Sequence, residues 1–174
     1  MPLIDEYNEA QERLDDLARG AADDHWWRRA HPARWSIGEC IEQLILTTEA
    51  FLPLIDAALA SAPRRRVANP RLDFTGWIIW WTSGPSRAMK VKTTAPFVPA
   101  ERHSKNDQLT HFARRQQELV ERVAAAEEVD ATAVKIASPF SAKIRYSLWS
   151  ALRIIPRHQL RHIAQAEEVL AQLR

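Results

Sequence analysis

The residues whose spacing most directly suggests chemistry are His158 and His162, four apart near the end of a 174-residue chain. On a helix, that spacing puts both imidazoles on one face, one turn apart, where together they can bind a single ion. Their phase adds to their spacing. The apolar stripe of Leu148, Leu152 and Ile155 continues into His158, His162 and Gln165 and then Val169, so both rings point inward. An interior polar group left unsatisfied is costly. Such a pair is read either as core histidines hydrogen-bonded to backbone or water, or as part of a metal site of the kind helix bundles build. Gln159 stands where the zinc-protease pattern H-E-x-x-H carries its glutamate base, which argues against peptide hydrolysis by that mechanism.

Other side chains compete for attention. Trp77, Trp80 and Trp81 share helical i, i+3, i+4 spacing, and are expected either to pack on neighbouring helices or to wall a pocket or dimer contact. Arg157 and Arg161 flank the two histidines, and Arg161 is a candidate to orient a carboxylate or to make an ordinary ion pair. His25, His31, His103 and His111 read as surface or rim residues. Cys40 reads as a small buried hydrophobe with no neighbouring cation to activate it. The basic run Arg64-Arg65-Arg66 with Arg71 reads as a solvated loop.

Four amphipathic stretches must position these residues. The first runs from Leu3 to Arg19, with Gly20 as its stop. The second opens on a capping box, Ser36 with Glu39, and carries Ile37, Cys40, Ile41, Leu44, Phe51, Ile55 and Leu59 on one face, with a kink expected at Pro53. The third covers Lys105–Ala126, and the fourth covers Leu148–Leu173 with an internal Pro156. The expected fold is all-α: an antiparallel four-helix bundle, a single domain over 1–174. Between its second and third helices lies a long, irregular connection rich in Trp and Pro, from about Ser61 to Ser104. A short extended piece at Ala133–Ala137 is the sole strand candidate.

Composition narrows the function. With 46% hydrophobic and 26% charged residues the chain is that of an ordinary globular domain. One cysteine cannot form an internal disulfide and points to a reducing cytoplasm. A net charge of +2 gives no reason to expect nucleic acid as a partner. The longest charge-free run, Phe74–Ser86, is too short and polar to span a membrane, and the acidic, amphipathic N-terminus is unlike a signal peptide. Four glycines in all leave no glycine-rich phosphate loop, which excludes P-loop NTPases, kinases and Rossmann oxidoreductases.

Several strings together carry a resemblance. Trp35-Ser36-Ile37-Gly38-Glu39-Cys40-Ile41-Glu42-Gln43-Leu44 resembles the second-helix motif of the DinB/YfiT-like family, and His158-x-x-Arg161-His162-x-x-Gln165 resembles its fourth-helix motif. Pro96-Phe97-x-Pro99, Ser138-Pro139-Phe140 and Tyr146-Ser147-Leu148 are similar to strings in one subgroup. The resemblance implies a four-helix bundle, a homodimer, and a divalent metal (zinc or nickel) held by three histidines and water. It also implies a small-molecule substrate. Some relatives are thiol-dependent transferases and others are taken for hydrolases, the metal lowering the pKa of a bound thiol or water.

In this chain the family's second-helix histidine is replaced by Gln43, beside the expected ligands His158 and His162. An amide oxygen is a much poorer ligand for zinc or nickel than an imidazole. Three outcomes are open: Gln43 completes a weak site, Glu39 one turn earlier substitutes, or the site is a metal-free hydrogen-bonded cluster. The function is accordingly read as a metal-dependent transferase or hydrolase with Trp77, Trp80, Trp81, Arg161 and Gln165 around its pocket. The alternative is a non-catalytic, diverged member with an empty metal site, acting as a small-molecule-binding or dimeric interaction module.

Overall fold

The computed structural model describes residues 2–84 and 94–174. The end of the charge-free run, Pro85 and Ser86, and the following part of the long connection lie outside the described residues.

The periodic stretches form helices with the expected buried faces. Helix α1 (Leu3–Gly20) buries Leu3, Tyr7, Ala10, Leu14 and Leu17, and places Asp5 and Glu6 in its first turn, where the helix dipole favours acids. A short α2 (Asp23–Trp26) follows, delivering Trp26 to the core. Helix α3 (Ile37–Ser61) starts at the predicted capping box: Ser36 Oγ accepts from Glu39 N at 3.2 Å, and Ser36 N donates to Glu39 Oε2 at 2.7 Å. It continues through Pro53 as one helix. By length and mean hydropathy α3 could cross a membrane, but its apolar surface is packed against two other long helices. Those are α5 (Lys105–Ala126) and α6 (Leu148–Leu173), and α1 packs against the same pair.

The fold is thus mostly helical, but not all-α. A hairpin of β1 (Lys135–Ser138) and β2 (Ser141–Ser147) precedes α6. The extended piece expected at Ala133–Ala137 overlaps β1, whereas β2 was not foreseen. Its register pairs Ile136 with Tyr146, both buried, and shifts between Ala137 and Ser138. A two-stranded hairpin is marginal alone; this one lies against α3 and α6. The long connection is also less irregular than expected. It contains α4 (Phe74–Thr82), which packs on α6 and β2, and a 3-10 turn at Ala95–Phe97. Asp73 ties α4 to the start of α6: its Oδ1 accepts from Ser150 Oγ at 2.6 Å and from Ser147 N at 3.1 Å.

The core is divided. One apolar cluster gathers Tyr7, Phe51, Ile55, Leu119, Leu152 and Ile155; the other gathers Leu14, Trp26, Ile41, Leu44, Phe112 and Ile163. Between them, along α3, α5 and α6, run buried polar side chains: Gln43, Thr47, Gln116, His158 and Gln159. This polar layer contains the predicted site.

Candidate functional site

Helix α6 carries the two histidines inward as their phase predicts: His158 is 9% exposed and His162 5%. Their rings lie edge to face with centroids 4.5 Å apart. From α3, Gln43, 2% exposed, brings Oε1 to 3.3 Å from His158 Nε2. A carboxamide oxygen only accepts, so His158 Nε2 is the donor and carries the ring proton. The other end of the amide is fixed as well, because Gln43 Nε2 donates to Thr47 Oγ1 at 3.0 Å. The three residues expected at the site therefore do converge.

Aromatic rings close around them. Trp35 stacks on His162 with centroids 6.1 Å apart, and Phe140, from the hairpin turn, lies 5.8 Å from the His158 ring. Phe97 packs on Phe140 in turn, at 4.7 Å. Trp35, Phe97 and Phe140 stand in the motif strings but without a role read from them. Thr47 was missed; its signal was its position four residues after Gln43, the spacing at which helix side chains meet.

Both imidazoles are neutral near pH 7. Burial pulls His158 well below its usual range, with His162 and then Arg161 acting the same way. Burial, then the Arg161 charge, pushes His162 down to about 3, against a hydrogen bond with Gln165. His162 Nδ1 is buried with no hydrogen-bond partner. Gln165 itself is exposed at the outer end of the motif. Arg161 is half-buried, its Nε has no partner, and it pairs with no carboxylate among the described residues.

The tryptophans divide. Trp80 turns toward the core, and the guanidinium of Arg157 lies over its ring at 3.9 Å while Arg157 Nε donates to the Trp80 carbonyl oxygen at 2.9 Å. Trp77 and Trp81 stack on each other, centroids 6.5 Å apart, on the outer side of α4, where Phe74 is 77% exposed. Two cavities, of about 390 and 400 Å³, lie away from the histidines, one beside Trp149 and Arg153 and one beside Trp27 and Lys105.

The residues present do not fit a tightly held zinc or nickel ion. Such sites are built from thiolate, imidazole or carboxylate ligands. Among the described residues no three His, Cys, Asp or Glu side chains are grouped to hold one. Glu39 is not a substitute, since its carboxylate is bound by Ser36 N and Arg29. Glu42 faces away, accepting from Gln108 Nε2 at 2.5 Å. The His158 nitrogen that faces Gln43 is occupied by the amide at 3.3 Å, and the cation of Arg161 acts on both rings. Cys40 is no alternative ligand: it is buried in the apolar cluster, which raises its pKa to about 12.

A family profile described as the DinB superfamily matches residues 6–166, nearly the whole chain. No curated protein and no solved structure matches.

Proposed function

The chain belongs to the DinB superfamily, and on that premise we propose that it is a diverged member which binds a small molecule beside the His158–Gln43 pair and does so without a tightly held metal. The observation that carries this reading is the Gln43 amide. Its oxygen accepts from His158 and its nitrogen donates to Thr47, so the position of the family histidine is satisfied by a neutral hydrogen-bonded chain. A buried polar group so paired needs no ion to make it stable. In this reading Gln43 and Thr47 hold His158 in one tautomer. Trp35 and Phe140 fix the planes of the two rings, and Arg161 supplies the charge at the rim.

A metal-dependent, thiol-using transferase or hydrolase is the second reading. It is favoured by His162 Nδ1, which is buried and unpartnered in a site whose imidazoles are both neutral. Metal content decides between the two. Protein purified without a histidine tag is expected to hold well under one equivalent of zinc or nickel, and Gln43→His is expected to take up one equivalent. A full equivalent in the unmodified chain, lost in His162→Ala, would defeat the first reading.

The proposed quaternary state is a homodimer, with the outer side of α4 around Phe74, Trp77 and Ile78 as the surface a second copy would cover. Sedimentation of Trp77→Ser as a smaller species than the parent chain is the expected result. The proposed setting is cytoplasmic, where Cys40, alone and buried, stays a thiol.

A further inference from the structure

Beside the start of α6 lies a cavity of about 390 Å³ whose lining includes neither histidine of the polar layer nor Gln43. Its floor is apolar. Leu3 from α1, Ala126 at the end of α5, and Val129 and Ala131 from the turn that follows are each at most 6% exposed. Trp149, half-buried on α6, adds the face of an indole that stacks on no other aromatic ring among the described residues. An apolar floor of this size with a few polar groups at its rim is the usual build of a small-molecule site.

The rim of that cavity carries both signs of charge. Arg66 Nη2 lies 3.8 Å from Glu127 Oε2, and both side chains are largely exposed, so this loose pair can exchange its contact for a ligand's charges at little cost. Arg153 is held more firmly. Its Nη2 contacts Glu6 at 3.0 Å, with both side chains mostly buried, and the rest of its fork makes no hydrogen bond among the described residues. Glu6 thus fixes Arg153 at the wall and leaves donors free. The Glu6 charge also feels Arg157, whose guanidinium lies over the Trp80 ring instead of lining the cavity. Both arginines of the wall therefore have a glutamate beside them. A plain anion or a plain cation would meet one attractive and one opposing charge there, whereas a molecule carrying both signs is complementary to the wall.

We propose that this cavity binds a free α-amino acid with an aromatic side chain. The ring lies on the apolar floor against Trp149, where an offset or edge-to-face contact adds to area burial. The carboxylate accepts from the free N–H groups of Arg153 and from Arg66, and the ammonium donates to Glu127. Asn69, whose side-chain amide makes no hydrogen bond among the described residues, offers a further donor and acceptor at the rim. The site is separate from the His158–Gln43 pair and does not depend on the function proposed for it.

The test titrates the full, untagged chain calorimetrically with L-phenylalanine, L-alanine, hydrocinnamate and phenethylamine at one ionic strength, and follows thermal melting with each. L-Phenylalanine is expected to bind saturably and to raise the melting temperature. Hydrocinnamate lacks the ammonium, phenethylamine lacks the carboxylate and L-alanine lacks the ring, so each is expected to bind about fivefold more weakly or worse. Arg66 and Glu127 are exposed, so Arg66→Gln and Glu127→Gln should fold as the parent chain does. Each is expected to weaken L-phenylalanine binding by about fivefold, and Glu127→Gln should also narrow the gap between L-phenylalanine and hydrocinnamate. Absence of saturable L-phenylalanine binding overturns the proposal. Equal affinity for hydrocinnamate or phenethylamine overturns it too, because one charge would then suffice, and L-alanine binding as tightly would remove the role of the floor. Affinity unchanged in both variants would put the ligand elsewhere on the molecule and overturn it equally.

Discussion

Two buried imidazoles contribute to how this protein responds to acid, beside carboxylates such as Asp73 and Asp130 that pairing holds below their usual range. An unfolded histidine titrates near 6.5, whereas folded His162 titrates near 3 and His158 also lies well below its usual range. Below pH 6.5 the unfolded chain therefore binds protons that the folded chain refuses, so stability falls as pH drops toward 3. Each histidine contributes at most about 1.4 kcal/mol per pH unit to that slope. Chemical denaturation of the metal-free protein between pH 7 and 4 should show the loss, and His162→Gln should flatten it by about the share of one group. An identical slope in the variant would mean that other groups set the acid limit. The inward phase of the pair was legible from the residues alone, because a helical stripe places every fourth side chain on one face. The state of Gln43 was not. Whether an amide serves as ligand or as hydrogen-bond partner depends on what lies at its other end, and Thr47 is a contact that motif comparison does not single out.

At the scale of elements, the long helices were readable because periodicity and caps agree, with Ser36 and Glu39 marking the start of α3. The hairpin was not. In β2 the burial pattern is mostly exposed or intermediate until Tyr146 and Ser147, so it lacks the clean alternation that announces a strand. Helix α4 was visible as a tryptophan cluster, but its seat on α6 depends on a glycine with no motif around it. A Cβ on Gly76 would collide with the Cβ and Oγ of Ser150 and approach Asp73 Oδ1 at 2.6 Å. Those are the atoms that join α4 to the first turn of α6. Gly76→Ala should accordingly destabilise the protein, by about 1–3 kcal/mol as overpacking typically does, despite alanine's better helix propensity. A melting curve would reveal it. Adding Ser150→Ala should not restore stability, because alanine keeps the Cβ that the new methyl meets and Asp73 loses the serine hydroxyl.

Across the whole molecule, the polar layer between the two apolar clusters holds the parts in register. Besides the His158–Gln43 pair it contains a reciprocal amide pair. Gln116 Nε2 donates to Gln159 Oε1 at 3.1 Å, and Gln159 Nε2 donates to Gln116 Oε1 at 2.8 Å, linking α5 to α6. Gln116 Nε2 also donates to the Tyr7 carbonyl oxygen at 2.6 Å, which brings in α1, and Tyr7 Oη donates to the Leu152 carbonyl oxygen at 2.8 Å. Three helices thus meet through groups that are satisfied only in one axial alignment, while the leucines and isoleucines on either side could slide past one another by a turn at modest cost. Replacing one glutamine, Gln159→Leu, leaves the Gln116 amide short of its partner in the interior and should cost about 1–3 kcal/mol. Replacing both with leucine removes the pair together, so the double variant should lose much less than the two single losses added, with a coupling energy above about 0.5 kcal/mol. If the pair also fixes alignment, the double variant should keep its helical circular dichroism and melt with reduced cooperativity. Additive losses with an unchanged transition would show instead that the amides fill space and set no register.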